Sequence, residues 1–350
     1  MTCKRIISFL LCLSFCLPTL ASCKKKEPTV QAKSYYEYFD TVSTVFSYKG
    51  DSEAEFTANY TAVAGLLGEY HKLFDIYYEY SGINNLKTVN KNAGKAPVEV
   101  DDRLIDFLLY SKEMYTLTGG KTNIAMGSVL KLWHDCRTEA ESDPANAKIP
   151  SAAQLEEAAA HCDINNLIID TKARTVYISD PKMQLDVGAI GKGYAAERAA
   201  ELLMDRGVTA YVLNIGGNIR AVGAKPDGEK WDIGITHPDK NSDESFITKV
   251  RIKNTSLVTS GDYERYYTVG GVKYHHIIDP ATLMPSAYFS SVSVFTKDSG
   301  LADALSTALF CMSYEDGLAL VHSVGGVEVI WVDLSYNMKY TEGIDFLSSK

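Results

Sequence analysis

The stretch from residue 210 to residue 278 constrains the fold more than any other part of the chain. It is a succession of short runs rich in β-branched and aromatic residues, interrupted by glycine pairs. Strands are expected at 211–215, 219–222, 231–235, 248–252, 265–268 and 272–277. Gly216-Gly217 and Gly270-Gly271 each separate two of these runs, the signal of a tight hairpin turn. Upstream, a strand fits 35–49 and a helix 52–74 opened by Asp51, while 81–98 is loop-like. Helices are expected at 102–116, stopped by Gly119-Gly120, at 127–136, and from Ser151 to near His161. A hairpin follows at 167–170 and 175–179, then a strand at 183–187 running into a helix at 191–206. The chain closes with a strand at 291–295, helices at 300–311 and 314–323, and strands at 327–333 and 337–341. Strands in hairpins and helices in pairs make this an α+β protein and not a doubly wound parallel sheet.

The N-terminus stands apart. Lys4 and Arg5 precede a mostly apolar run at 6–20, too short for a comfortable membrane span of about 20 residues. Leu20-Ala21-Ser22-Cys23 has the form of a bacterial lipobox, which predicts cleavage before Cys23 and lipid on its thiol; an ordinary secretory signal cut after a small residue is the competing reading. Lys24-Lys25-Lys26-Glu27-Pro28 cannot pack and reads as a tether. The expected organisation is a signal peptide at 1–22, a tether at 23–34 and one domain at 35–350, held to a periplasm-facing or cell-surface membrane through Cys23. Cys136, Cys162 and Cys311 are then the remaining thiols, an odd number set far apart, with neither a disulfide framework nor a C-x-x-C site.

With 46% apolar and 23% charged residues the chain can bury a core. A formal charge of −9 makes the chain a poor candidate for nucleic-acid binding, which needs clustered Lys and Arg to neutralise phosphates. A phosphorylated ligand would need a metal ion to bridge it to so acidic a chain.

Several segments can carry chemistry. Asp186-Val187-Gly188-Ala189-Ile190-Gly191-Lys192-Gly193-Tyr194 joins a strand to a helix, where backbone N–H groups and the helix dipole can hold an anion. It is not a P-loop, since Asp186 and Gly193 occupy the positions that need Gly and Ser or Thr, and it lacks G-x-G-x-x-G spacing. A plain tight turn is the competing reading. Asn214-Ile215-Gly216-Gly217-Asn218 is either a hairpin turn or a place where backbone approaches a flat or charged ligand. Thr259-Ser260-Gly261-Asp262-Tyr263-Glu264-Arg265 reads as a turn with hydroxyls and charge. His275 and His276 end a strand and point to opposite faces, so only one of them can enter a pocket. Asp303 and Thr307, spaced i, i+4 in an apolar helix, put a carboxylate and a hydroxyl on one face, a set that suits Mg²⁺. Tyr77, Tyr78 and Tyr80 either stack on an aromatic ligand or pack in the core.

Together and in this order, these segments resemble the ApbE family of FAD:protein FMN transferases, from about Phe39 to Tyr340. Phe39-Asp40-Thr41, Thr122-Asn123-Ile124-Ala125-Met126-Gly127 and the run from Trp231 to Pro238 are weaker parts of the match. The resemblance implies a two-layer T-fold-type arrangement and a substrate, FAD, whose pyrophosphate lies near Gly188, Ala189, Lys192 and Gly193, with Lys192 as countercharge. It implies Mg²⁺ held by Asp303, Thr307 and the carbonyl of Ala189. Asn214, Gly216, Gly217, Asp279 and Tyr80 would border the flavin or adenine. His276 would take the proton from a Thr or Ser hydroxyl of an acceptor protein, an electron-transport subunit. Where many relatives have Gly after Asp-Pro-Ala-Thr, this chain has Leu283, and Gly119-Gly120-Lys121-Thr122-Asn123 replaces a more usual Phe-Asp pair. FAD hydrolysis to FMN and AMP, and flavin binding without catalysis, are the two other readings.

Overall fold

The computed structural model describes residues 30–48 and 52–347. The signal segment, Cys23 and the first part of the tether lie outside the described residues. The rest of the tether belongs to the sheet: Val30–Tyr35 is strand β1, paired antiparallel with β2, Ser43–Tyr48. Its polar look follows from its edge position, where Tyr35 alone is buried.

The helices are α1 Glu53–Phe74, α2 Leu86–Lys91, α3 Asp102–Leu117, α4 Gly127–Ser142, α5 Ala152–Ala159, α6 Gly191–Asp205, α7 Ser299–Phe310 and α8 Tyr314–Val324. The strands after β2 are β3 Val98–Glu99, β4 Leu167–Asp170, β5 Thr175–Ile178, β6 Ala210–Ile215, β7 Asn218–Gly223, β8 Trp231–Thr236 and β9 Phe246–Ile252. They continue with β10 Ser256–Gly261, β11 Tyr266–Val269, β12 Val272–His275, β13 Ser291–Thr296, β14 Glu328–Val332 and β15 Met338–Tyr340. An eight-stranded antiparallel sheet runs β1-β2-β6-β7-β10-β13-β14-β15. The chain is therefore α+β, built from hairpins and paired helices.

Alternation along the central strands sends side chains to two cores. In β6, Leu213 packs with α1 and α6 through Val63, Leu67, Ala199 and Leu203, whereas Val212 joins Trp231, Ile235 and Val250 of the β8–β9 hairpin. In β10, Val258 meets Leu305 and Leu309 of α7, and Leu257 turns to the hairpin side. Helices thus cover one face, and the β8–β9 hairpin is added over the other.

Several segments differ from the sequence expectation. The strand expected over 35–49 is confined to Ser43–Tyr48, with Tyr35 ending β1, and Ser52 rather than Asp51 caps α1, its hydroxyl accepting the Glu55 N–H. Residues 183–187 form no strand, because the Asn90 side-chain amide takes both backbone groups of Leu185, at 2.8 and 3.0 Å. Residues 256–261, read in part as a turn, are a central strand between β7 and β13. The helix at 127 runs on to Ser142, with Arg137 and Glu141 adjacent at i, i+4. Within 81–98, Asn85 caps the short helix α2 by accepting the Thr88 N–H.

One buried ion pair fixes α6, α7 and β7 together. Arg220 of β7 grips Glu197 of α6 in a bidentate pair at 2.9 and 3.0 Å, with both residues buried. Glu197 also accepts the Ser299 N–H at the start of α7 at 2.8 Å. Glu197→Ala would leave a buried guanidinium unpaired, and a loss of about 3–5 kcal/mol is expected in urea unfolding. A loss under about 1 kcal/mol would show that water or Asn254 replaces the carboxylate.

Candidate active site

Helix α6 begins with Ile190 at its N-cap, a side chain that accepts no hydrogen bond. The cap comes from another helix: Asp303 Oδ2, in the second turn of α7, accepts the Gly193 N–H at 2.7 Å. Residue 193 must lack a side chain for this approach, since a Cβ there would collide with the Ser299 carbonyl and with Asp303 Cβ. Asp303 is buried, and burial pushes its carboxyl pKa up, against the pull of Lys192, the Gly193 N–H and the Asn218 amide. The bonds it accepts fall on Oδ2; the Asn218 amide is at 3.5 Å. Thr307 follows one turn later on the same helix and is half-buried. Beneath them the Ser306 hydroxyl meets Ser260 of β10 at 2.8 Å, tying α7 to the sheet.

The turn ahead of α6 is shaped by Asp186, whose Oδ1 accepts the Gly188 N–H at 2.9 Å. Lys192 Nζ reaches the Gly188 carbonyl at 3.4 Å. The β6–β7 turn closes beside them: Gly216 and Gly217 have φ of 57° and 90°, and Asn214 Oδ1 accepts the Gly217 N–H at 2.9 Å. A Cβ on Gly216 would strike the side chain of Thr41.

Strand β12 ends at His275, and the two histidines part as alternation requires. His275 is buried, with Nε2 against the Ser286 carbonyl at 2.8 Å. His276 is exposed on the cleft side; its backbone N–H and its Nδ1–H both donate to the Arg265 carbonyl, at 3.0 and 3.2 Å. That tautomer leaves the Nε2 lone pair facing out. Partial desolvation, then the nearby cations Lys192, Arg265 and Arg137, hold the His276 pKa below the ordinary histidine value. The imidazole is therefore neutral at pH 7.

Further groups border this recess. Arg265 Nη2 donates to the Asp40 carbonyl at 3.0 Å. Arg137 of α4 contacts His134 Nδ1 at 3.0 Å, and the His134 ring lies 5.8 Å from that of Tyr77. Burial raises the Tyr77 pKa, and Asp186, Arg137, Arg265 and Asp40 act on it electrostatically. Three cations, Lys192, Arg265 and Arg137, thus converge on His276 in a chain of net charge −9. Among the described residues no three His, Cys, Asp or Glu side chains form a metal cluster, so a metal here would rest on one carboxylate and neutral oxygens.

The ApbE family model matches residues 39–331. The chain belongs to the ApbE family. It is 33% identical over 273 residues to a FAD:protein FMN transferase of Treponema pallidum, covering 74% of this chain and 73% of that protein. It is 31% identical over 245 residues to another of that name from Klebsiella pneumoniae, covering 70% and 73%. The ApbE protein of Thermotoga maritima superposes with a TM-score of 0.78 at 27% identity, covering 90% of this chain and 97% of that one. The flavin transferase ApbE of Vibrio cholerae shares the fold, with a TM-score of 0.74 at 24% identity, covering 91% and 100%.

In this ApbE chain, Gly193, Asp303 and Asn218 meet at the start of α6, Lys192 lies against Gly188 and acts electrostatically on both Asp303 and His276, and Thr307 follows Asp303 on α7. Two of the expected ligand-facing residues are engaged by partners within the chain. Asp279 is buried, and its Oδ1 takes Lys121 Nζ at 2.8 Å and the Ala281 N–H at 3.0 Å. The Tyr80 hydroxyl donates to Asp75 at 2.7 Å, and burial together with that bond pushes its pKa up to about 12. His134 and Arg137 pair on α4 beside Tyr77; their i, i+3 spacing is visible in the sequence, but a helix expected to end at Cys136 leaves Arg137 outside it.

Proposed function

We propose that the chain moves the FMN half of FAD onto a Thr or Ser hydroxyl of an acceptor protein and releases AMP. The carrying observation is His276: neutral, locked through Nδ1 on the Arg265 carbonyl with Nε2 left free, and under the influence of Lys192, Arg265 and Arg137, cations that suit a pyrophosphate. The turn 188–193 and Lys192 hold the two phosphates. His276 Nε2 removes the proton from the acceptor hydroxyl as that oxygen attacks the FMN-side phosphorus. The P–O bond to the AMP half breaks, AMP leaves with the bridging oxygen, and the proton stays on the imidazole.

The oxygen set fits Mg²⁺. Asp303 is a buried carboxylate short of positive charge, Thr307 lies one turn away, and the Ala189 carbonyl belongs to the turn before α6. Mg²⁺ binds through one or two carboxylates plus phosphates and water, which matches so sparse a protein set. Bound there, it would neutralise charge on the pyrophosphate.

The test mixes the protein, FAD and Mg²⁺ with and without a candidate acceptor domain. Flavin fluorescence on the acceptor in a denaturing gel supports transfer; equal AMP release without acceptor would assign hydrolysis; no AMP in either arm would leave flavin binding alone. We also propose that Cys23 carries lipid and holds the domain at a membrane. Cys23→Ala is expected to abolish acyl labelling and membrane partition in a bacterial host, and unchanged labelling would defeat that reading.

A further inference from the structure

The segment 38–41 crosses the rim of the recess as a strap in an uncommon conformation. Phe39 and Asp40 both lie in the left-handed region, with φ of 57° and 50°. The Tyr38 carbonyl accepts the Thr41 N–H at 3.3 Å, so 38–41 is a tight turn of a kind that glycine and asparagine favour, and Phe39 and Asp40 hold it with support from their surroundings. The strap is fixed at both ends. The Phe39 N–H donates to His71 Nδ1 of α1 at 3.3 Å, and the Phe39 and His71 rings meet edge to face at 5.8 Å. The Asp40 carbonyl accepts Arg265 Nη2 at 3.0 Å, and the Arg265 carbonyl is the group that orients His276. Thr41 closes onto Gly216 of the β6–β7 turn.

We propose that His71 is a positioning residue of this site: as a neutral acceptor it latches the strap 38–41, and the strap, through Arg265, steadies the peptide that orients His276. The latching stands on geometry alone; the effect on flavin rests on the reading given under Proposed function.

An amide can only donate, so Nδ1 must carry the lone pair and Nε2 the proton. The surroundings agree: Nε2 faces the Tyr80 hydroxyl at 3.4 Å, and that hydroxyl passes its own proton to Asp75. Asp75 in turn accepts the N–H groups of Tyr77 and Tyr78 at 2.6 and 3.0 Å, so one chain of bonds fixes both the strap and the Tyr77 loop. Protonated His71 would present an N–H to the Phe39 N–H, and the latch would open.

The groups facing His71 are Asp75 and Tyr80 from the segment after α1, Lys72 on its own helix and Tyr38 of the strap, whose ring lies 5.9 Å away. Burial and Lys72 favour the neutral ring and outweigh Asp75, so its pKa lies below 6.5. The latch is therefore closed at pH 7 and opens only as pH falls through that lowered pKa.

The experiment follows amide hydrogen exchange of residues 38–41 and FAD affinity, by quenching of flavin fluorescence, between pH 5 and 8. It compares the wild type, His71→Phe and His71→Asn. Phenylalanine keeps the ring contacts without the acceptor; asparagine keeps an oxygen near the Nδ1 position and does not titrate. Wild-type protection at Phe39 should fall with pH, His71→Phe should lack it throughout, and His71→Asn should keep it throughout. FAD affinity should follow, weaker by about five- to tenfold without the latch, the usual worth of one hydrogen bond. Equal protection in His71→Phe, or none in His71→Asn, would overturn the latch. Lost protection with unchanged FAD affinity would overturn the positioning role. A wild type that binds no FAD would sink the flavin reading, and exchange would still judge the latch.

Discussion

His276→Ala is expected to lower FMN transfer by about 10²–10⁴-fold, the usual worth of a general base. FAD affinity should change little, because the pyrophosphate is held by the turn before α6 and by Lys192, not by the imidazole. The neighbouring histidine supplies the contrast. His275 is buried, its Nδ1 accepts the Ile277 N–H at 3.2 Å and its Nε2 meets the Ser286 carbonyl. His275→Ala should therefore lose about 1–3 kcal/mol of stability and keep most activity per folded molecule. The acid limb of transfer should lie below the ordinary 6.5 of a free histidine. The base works only when deprotonated, and desolvation with Lys192, Arg265 and Arg137 lowers its pKa. Binding of the anionic pyrophosphate offsets those cations, so the limb for kcat should sit higher than that for kcat/KM. A transfer rate within about threefold of wild type in His276→Ala would remove the imidazole from the chemistry.

The parts of this site legible in the sequence are those set by local rules. Glycine pairs give the hairpins, strand alternation separates His276 from His275, and a lone carboxylate among alanines and leucines marks Asp303. What was hidden depends on contacts between distant residues. Asp279 looks available beside the histidines, yet its partner Lys121 lies 158 residues away in sequence. Strand β10 is disguised by Thr259, Ser260 and Gly261, whose small and hydroxyl-bearing side chains suit a turn. In the fold, Thr259 meets Ser293 and Ser260 meets Ser306, each at 2.8 Å. Leu283 shows the same dependence. It sits at φ 60°, a conformation that favours glycine, and is held there by its N–H to the Asp279 carbonyl and by Trp133 Nε1 on its own carbonyl. The site's positive character is the largest such case, since Arg137, Lys192 and Arg265 come from three separate parts of an acidic chain.

Asp303→Asn is expected to separate activity from stability most cleanly. The carboxylate is buried at a cost that only the Gly193 N–H, the Asn218 amide and Lys192 offset. Asparagine retains an oxygen for Gly193 and carries no charge, so α6 stays capped and the unfolding temperature without metal should equal or exceed that of the wild type. Asp303→Ala is the less informative variant, because losing the cap costs about 1 kcal/mol by itself. Without the charge the oxygen set holds Mg²⁺ poorly. Added Mg²⁺ should raise the melting temperature of the wild type and not that of Asp303→Asn. AMP release should fall by about 10³-fold, the rate equivalent of the several kcal/mol that a cation contributes at a transferring phosphoryl group. Thr307→Ala should lose less, since a hydroxyl brings no formal charge. A variant at position 303 that stays folded and keeps wild-type Mg²⁺-dependent AMP release would place the metal elsewhere and reduce Asp303 to the cap of α6.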